Sequence, residues 1–203
     1  MIEAVLFDLD GVLVDACEWH YESLNTALIE CGHSPISRED HTRKYNGLPT
    51  DVKLGLLGIT GDDASVVWKL KQEHTLNTIH TNAVDMPEKR ELHEYLKYNG
   101  IKTACVTNSI RETAEAMLKG TGQLQYMNVV VTNEDVSKNK PYPDCYNKAI
   151  QLLGVNPTMC VCVEDSDKGI EAAIGSEAGC LWVVKNTSEV TKENFIKFER
   201  KRG

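Results

Sequence analysis

Several features that would assign a chain to a particular class are missing from this sequence. No apolar stretch approaches the roughly 18–20 residues that a membrane-spanning helix needs. Basic residues are in the minority, 22 Lys and Arg against 30 Asp and Glu, and the net charge of -8 argues against nucleic acid or an anionic membrane as the main partner. The start, Met1-Ile2-Glu3, lacks the basic and apolar segments of a signal peptide, so we expect a cytoplasmic protein.

What is present fits an ordinary globular protein. The 203 residues are 41% hydrophobic and 26% charged, which provides enough apolar surface for a core and excludes general disorder. There are seven cysteines, an odd number, and several of them lie in apolar, strand-like runs where thiols pack as small hydrophobic groups. Their spacing does not match the paired ligands of a zinc site, so we expect structural thiols in a reducing compartment.

Short apolar runs predict the strands of a parallel sheet. Residues 2–7 form one such run, which ends at Asp8 and a glycine turn as a buried strand does. Similar runs follow at residues 103–106, 127–132, 159–163 and 180–184. Amphipathic helical segments lie between them, for example 88–98 and 143–153, and a glycine follows each as a C-cap. The alternation predicts an α/β fold of the Rossmann type with helices on both faces of the sheet.

Residues 14–85 interrupt this alternation. They contain several helical patterns punctuated by glycines but no convincing strand, and they are too many for one crossover connection. We therefore expect two domains: a core formed by residues 1–13 and 86–203, and an inserted helical cap formed by residues 14–85. Hinge segments near 13–16 and 80–86 would join them.

Functional groups of open parallel sheets collect at the carboxyl ends of the strands. In this chain that edge receives acidic groups, hydroxyls and lysine, at Asp8 and Asp10, Thr107-Asn108-Ser109, Lys138-Asn139-Lys140-Pro141 and Glu164-Asp165-Ser166. Carboxylates that converge repel one another, and burial strengthens the repulsion. Mg²⁺ would relieve it, because this ion suits a few carboxylates together with a substrate phosphate.

Four sequence blocks carry a resemblance to a known family. Residues 8–15 have the pattern D-x-D-G-x-x-x-D, and residues 106–109 are the end of a hydrophobic strand with Thr, Asn and Ser. Residues 140–146 read K-P-x-P-D-x-Y, and residues 164–173 read E-D-S-x-x-G-I-x-A-A. In this order, over essentially the whole chain, they resemble the haloacid dehalogenase (HAD) superfamily of phosphohydrolases. The helical insertion resembles the C1-type cap of β-phosphoglucomutase-like and phosphoglycolate phosphatase-like members.

The resemblance implies catalytic roles. Asp8 would be the nucleophile that attacks phosphorus and forms an aspartyl-phosphate. Asp10 would protonate the leaving oxygen and then activate water. Lys140 would offset negative charge on the phosphate and on the nucleophile. The transferring phosphoryl group would contact Thr107, Asn108 and Ser109.

The resemblance also implies a metal cofactor, Mg²⁺. Its ligands would be Asp8, the backbone carbonyl of Asp10, and Asp165, with Glu164 as a further or water-mediated ligand. His20 is open to two interpretations, a group near the nucleophile or a buried structural histidine.

The function predicted from these residues is a Mg²⁺-dependent phosphatase that hydrolyses a small phosphomonoester, a phosphorylated metabolite, through an aspartyl-phosphate. Members with this cap are often monomers. The alternative is a phosphomutase of the β-phosphoglucomutase type. Mutases of this type carry the pattern K-G-x-S-R in a cap loop. This chain has Asn46 and Thr50 at the positions of the Lys and the Arg, which disfavours that activity. A non-catalytic binding protein that kept the fold is a third hypothesis, and the intact set of chemical groups argues against it.

Overall fold

Residues 2–202 are described by the computed structural model; Met1 and Gly203, which the predicted core includes, lie outside them. The strands are β1 (Ala4–Phe7), β2 (Lys102–Val106), β3 (Val129–Val131), β4 (Cys160–Glu164) and β5 (Cys180–Val183). The α-helices are α1 (Cys17–Glu30), α2 (Arg38–Asp40), α3 (Thr50–Leu56), α4 (Gly61–Asn82), α5 (Pro87–Tyr98), α6 (Arg111–Gly120), α7 (Asp144–Leu153), α8 (Asp167–Gly175) and α9 (Lys192–Arg202).

The five strands form one parallel sheet in the order β3-β2-β1-β4-β5. Each strand overlaps one of the predicted apolar runs, and the predicted α/β fold is confirmed. In the register of the sheet, Phe7 is level with Cys105 of β2 and with Val163 of β4. Residues that follow these positions, such as Asp8 and Glu164, therefore meet at the carboxyl edge of the sheet.

Helices cover both faces of this sheet. Successive residues of β1 point to opposite sides, and all of them are buried. Leu6 packs in one hydrophobic cluster with Tyr146 and Ile150 of α7. Phe7 points the other way and meets the ring of His93 on α5 edge-on, with 5.7 Å between ring centroids. The sheet is therefore a layer between two sets of helices, which is the reason its strands are apolar on both faces.

The chain divides into two compact units. The larger consists of Met1–Asp15 and Val84–Gly203 and contains the sheet; the smaller is Ala16–Ala83 and is helical. These limits lie within two residues of those expected from the sequence for the inserted segment, residues 14–85.

The smaller unit is built on the packing of α1 against α4. Its core contains Leu24, Leu28, Tyr45, Leu54 and Val67. The segment 37–45 consists of a single turn of α2, capped by the side chain of Ser37, followed by a π-helical turn at His41–Tyr45. Within residues 2–202, none of the helices is both long enough and apolar enough to cross a lipid bilayer.

A buried histidine makes the stability of the larger unit depend on pH. His93 is 1% exposed, and burial lowers its pKa from the ordinary 6.5 to about 4. The imidazole is therefore neutral in the folded protein at a pH where an unfolded chain already binds the proton. This contribution to stability is complete above about pH 6.5 and is lost as the pH falls toward 4.

We expect His93→Gln to weaken this dependence, since glutamine keeps a polar group but binds no proton. Denaturant unfolding at pH 7 and pH 5 measures it: the wild-type protein should lose about 2 kcal/mol more than the variant between the two values. The matched control is His80→Gln, which changes an exposed histidine of α4 and should leave the difference unchanged. Identical pH dependence in wild type and His93→Gln would contradict the assignment.

Candidate active site

A buried lysine joins the groups at the carboxyl edge of the sheet. Lys140 is 5% exposed, and its Nζ lies 2.6 Å from Asp8 Oδ1 and 2.6 Å from Glu164 Oε1. The same ammonium group donates to the backbone carbonyl of Val106 at 2.8 Å and to the hydroxyl of Tyr146 at 3.2 Å. The strands β1, β2 and β4 and the helix α7 thus all contribute to the surroundings of one cation.

Glu164 holds this arrangement from the other side. It is fully buried, and its Oε1 accepts a hydrogen bond from the Tyr146 hydroxyl at 2.7 Å. Its Oε2 accepts from the backbone N–H of Asp165 at 3.2 Å and from the hydroxyl of Ser166 at 3.3 Å. Both carboxylate oxygens are therefore engaged within the protein, and Glu164 acts chiefly as an anchor for Lys140.

Two glycines make room for the acidic groups. A Cβ atom at Gly169, in the first turn of α8, would overlap the carboxylate of Glu164. A Cβ atom at Gly11 would overlap the carboxylate of Asp165, and Gly11 also has a φ of +93°, which side chains with a Cβ rarely adopt. A residue with a Cβ atom would therefore clash at these positions of the first and fourth blocks, which explains why both are glycine.

The electrostatics of the site are dominated by burial and by an excess of negative charge. Burial raises the pKa of Asp8 well above its ordinary value, against the attraction of Lys140. Burial would by itself lower the pKa of Lys140, but the carboxylates of Asp8 and Glu164 outweigh it and raise that pKa. Burial and the neighbouring Glu164 raise the pKa of Asp165 to about 6. One lysine therefore does not balance the carboxylates gathered here.

The segment after β2 lies against the same groups. Thr107 is 2% exposed and its Oγ1 accepts a hydrogen bond from the backbone N–H of Ser109 at 3.0 Å. The Ser109 hydroxyl donates to Asp10 Oδ2 at 3.3 Å. The side chain of Asn108 pairs reciprocally with the backbone of Lys140, at 3.0 Å and 3.3 Å. Asn108 thereby fixes the loop that carries the lysine, a contact that the sequence did not predict.

The donor set fits a hard divalent cation. Carboxylate oxygens of Asp8, Glu164 and Asp165 lie within 4.8 Å of one another. Asp165 Oδ1 is buried and has no hydrogen-bond partner among residues 2–202, which is costly for a carboxylate unless a cation satisfies it. The carboxylate of Asp10 is outside this group, and its backbone carbonyl remains a predicted ligand. Oxygen donors of this kind match the preference of Mg²⁺.

The family of this chain can be identified by its similarity to known proteins. A family model described as haloacid dehalogenase-like hydrolase matches residues 5–183. The chain belongs to this family. All four sequence blocks lie inside the matched range, so the family predicted from them is confirmed, while the roles of individual residues stay predictions.

Similar proteins match more than four fifths of this chain. The fructose-1-phosphate phosphatase YqaB of Escherichia coli K12 is 30% identical over 83% of this chain and 89% of its own length. A phosphorylated carbohydrates phosphatase of Thermotoga maritima is 29% identical over 85% of this chain and 80% of its own. A β-phosphoglucomutase crystal structure from Clostridium difficile has a TM-score of 0.83 at 21% identity and covers 100% of this chain and 99% of that one, which shows a shared fold.

Tyr146 is a residue of the site to which the sequence assigned no role. The third block includes the residue as its final position, but no role followed from the spacing. In the structure its hydroxyl donates to Glu164 and accepts from Lys140, so it closes a triangle of three buried polar groups. The sequence feature that could have pointed to it is a tyrosine six residues after Lys140, on a face of α7 that is otherwise apolar.

Two residues singled out in the inserted segment lie within the smaller unit. His20 is 7% exposed and its Nδ1 is 3.3 Å from Lys71 Nζ. Thr50 stands at the position where mutases carry the Arg of K-G-x-S-R. It is 8% exposed, and its hydroxyl accepts a hydrogen bond from Gln72 at 3.4 Å. Both side chains are buried among polar groups of their own unit.

The overlap at Gly169 gives a stability prediction. Gly169→Ala should lower the free energy of unfolding by about 1–3 kcal/mol, because the methyl group must displace the buried Glu164 carboxylate. Gly175→Ala is the matched control in the same helix, since its Cβ would meet only Pro143 at an ordinary 3.6 Å. That change should be neutral or stabilising by up to about 1 kcal/mol. Equal effects of the two substitutions in denaturant unfolding would contradict the steric explanation.

Proposed function

We propose that this hydrolase is a Mg²⁺-dependent phosphatase that hydrolyses a small phosphomonoester through an aspartyl-phosphate on Asp8. The observation that carries the proposal is the buried contact of Lys140 with both Asp8 and Glu164, beside the orphaned oxygen of Asp165. Such an arrangement serves a reaction in which a carboxylate must approach an anionic group. Further support comes from the relatives, whose names describe phosphatases of phosphorylated carbohydrates and of fructose-1-phosphate.

The first chemical step would use the carboxylate of Asp8. Lys140 fixes Oδ1, so the other oxygen, Oδ2, is the one that attacks phosphorus. As the phosphorus–oxygen bond to the leaving group breaks, Lys140 offsets charge on the nucleophile and on the phosphoryl group. Thr107 and the Asn108 backbone would contact the transferring phosphoryl oxygens, and positioning of this kind supplies much of the catalysis in phosphoryl transfer.

Asp10 would move the protons. Its carboxyl group gives a proton to the leaving oxygen, and its carboxylate then takes one from the water that attacks the aspartyl-phosphate. That attack releases inorganic phosphate and restores Asp8. The Ser109 hydroxyl, 3.3 Å from Asp10 Oδ2, orients this carboxyl group.

Mg²⁺ would be held by Asp8 and Asp165, by Glu164 through water, and by the Asp10 carbonyl. Bound there, the cation would neutralise charge on the phosphoryl oxygens and on the carboxylates that Lys140 leaves unbalanced. Asp165 presents its buried Oδ1 for this purpose.

We further propose that the smaller unit, Ala16–Ala83, is the cap and that it selects the substrate among phosphorylated metabolites. It has Asn46 and Thr50 at the positions where mutases of the β-phosphoglucomutase type carry the Lys and Arg of K-G-x-S-R. A cytoplasmic location is supported by the cysteines, all seven of which lie in the described residues and form no disulfide.

Asp8→Asn should abolish turnover, because an amide oxygen is a poor nucleophile for phosphorus. Phosphate release from p-nitrophenyl phosphate and from a panel of sugar phosphates measures the activity, which should fall below about a thousandth of wild type. The control Asp62→Asn removes an exposed carboxylate at the start of α4 and should keep wild-type activity toward the aryl phosphate. Substantial activity in Asp8→Asn would exclude the nucleophile assignment.

Product analysis in the same assay separates the hydrolase from a mutase. A phosphatase yields inorganic phosphate and the free alcohol, whereas a phosphomutase yields an isomerised sugar phosphate. We expect stoichiometric inorganic phosphate, and recovery of isomerised product without it would replace the proposal by the mutase.

Mg²⁺ should stabilise the protein in the absence of any substrate. An ion that binds only the folded state at about 100 times its Kd adds about 2.7 kcal/mol, which corresponds to several degrees in Tm. Asp165→Asn should remove most of this rise, since it removes the negative charge of the carboxylate whose Oδ1 is buried without a partner among the described residues. Asp167→Asn, which changes an exposed carboxylate two residues further on, should keep it. A Tm that is insensitive to Mg²⁺ in the wild-type protein would refute the metal site.

A further inference from the structure

A buried glutamine outside the candidate site holds the loop that follows β1. Gln123 is fully buried, and its Nε2 donates to the backbone carbonyl of Leu13 at 3.1 Å and to Thr121 Oγ1 at 3.0 Å. The sulfur of Met86 lies 3.9 Å from the same nitrogen. Leu13 and Met86 belong to the two places where the chain leaves and re-enters the larger unit. One side chain therefore contacts both.

The orientation of this amide is fixed by its neighbours. Thr121 gives its own hydroxyl proton to the carbonyl of Met117 at 2.8 Å, so its oxygen accepts from Gln123. Consequently Nε2 faces Thr121 and Leu13, and Oε1 faces His93. The Nε2 of His93 lies 3.0 Å from Oε1 and must carry the proton, because Oε1 can only accept. A flipped amide would place Oε1 against the carbonyl of Leu13, which can only accept, and would lose that hydrogen bond.

The loop that Gln123 holds is the one that carries Asp10. The backbone N–H groups of Leu13 and Val14 both donate to the carbonyl of Leu9, at 3.0 Å and 2.9 Å. The N–H of Gly11 donates to the carbonyl of Val14 at 2.8 Å, and Asp10 forms a β-bridge with Val14. The loop is thus closed on itself, and Gln123, 110 residues away in sequence, ties its Leu13 carbonyl to the body of the unit.

We propose that Gln123 is a positioning residue for Asp10, acting through its hydrogen bond to the Leu13 carbonyl and itself oriented by His93 and Thr121. The inference rests on the proposed function, in which Asp10 protonates the leaving oxygen. Proton transfer requires heavy atoms within hydrogen-bond reach, so a loop that shifts by a fraction of an ångström loses it.

This role differs from simple packing in what its loss would do. An apolar side chain of similar volume fills the same space but leaves the carbonyl of Leu13 buried without this donor. The unsatisfied carbonyl favours conformations in which the loop opens, whereas the sheet and Asp8, held by Lys140, are unaffected. The expected defect is therefore confined to the loop and to the step that uses Asp10.

Amide hydrogen exchange tests the structural part without any need for turnover. In Gln123→Met, exchange at Gly11, Leu13 and Val14 should accelerate about tenfold, the effect expected for one lost buried hydrogen bond. Gln125→Met makes the same chemical change at an exposed position two residues on and should leave these rates unchanged. Unchanged exchange in folded Gln123→Met overturns the proposal. If Gln123→Met does not fold, Thr121→Val is used instead, because it removes the acceptor that orients the amide. Exchange at the same three residues should then accelerate by a smaller factor, and unchanged rates overturn the proposal.

Kinetics test the link to Asp10. An alkyl phosphate needs its leaving oxygen protonated, whereas p-nitrophenolate leaves without a proton, so loss of Asp10 positioning should affect the alkyl substrate more. Asp10 also activates water in the second step with either substrate, so the comparison is made on kcat/KM, which reports only the steps up to formation of the aspartyl-phosphate. We expect kcat/KM to fall about tenfold or more with an alkyl phosphate and less than about threefold with p-nitrophenyl phosphate. An equal loss with both substrates indicates a merely structural role and overturns the proposal. If the wild-type protein releases no phosphate at all, the proposed function fails, and the exchange rates still decide whether Gln123 holds the loop.

Discussion

The contact between Lys140 and the two carboxylates of Asp8 and Glu164 is the constraint around which the candidate site is arranged. A buried ammonium group is strongly disfavoured unless its charge and its hydrogen bonds are matched, and removal of one partner of such a pair typically costs about 3–5 kcal/mol. Lys140 is matched by two carboxylates, a carbonyl and a tyrosine hydroxyl, all within 3.2 Å. These partners come from the residue after β1, from β2, from β4 and from α7, so the register of the sheet has to be correct for the lysine to be buried at all. Stability of the fold and geometry of the site are therefore coupled through one side chain.

The same contact explains the charge of the site. Lys140 can neutralise one carboxylate, but Asp8, Glu164 and Asp165 bring oxygens within 4.8 Å of one another. The raised pKa of Asp8 and of Asp165 expresses this imbalance, because each carboxylate is more easily protonated where negative charge is crowded and water is excluded. A protein of net charge -8 can thus present a place that favours a cation and, beside it, a phosphate. The overall charge said little about this, since the relevant charges are within a few ångströms of each other.

Much of the fold, and the grouping of Asp8, Lys140 and Glu164, could be predicted from the sequence because both depend on short-range patterns. Apolar runs marked the strands, and parallel strands bring their carboxyl ends to one edge, whatever the separation in sequence. Contacts that depend on side chains from distant helices could not be predicted. Tyr146 and Gln123 are examples: each is a buried polar residue, and its partners are known only when separate segments of the chain have packed together. The π-helical turn at His41–Tyr45 escaped for a related reason, since its residues have an ordinary helical pattern.

Asp8 and Asp10 are only two residues apart, yet the structure gives them different surroundings, and the difference matches the division of roles proposed for them. Asp8 is the first residue after β1, is 8% exposed and is held by the ammonium group of Lys140, as suits a carboxylate that has to be ionised and fixed when it attacks. Asp10 is half-buried and its Oδ2 accepts from the Ser109 hydroxyl, as suits a group that must exchange a proton with both a leaving oxygen and water. The amide of Gln123 acts on the position of Asp10 from outside the loop, through its hydrogen bond to the Leu13 carbonyl, and it places no charge of its own near the acid.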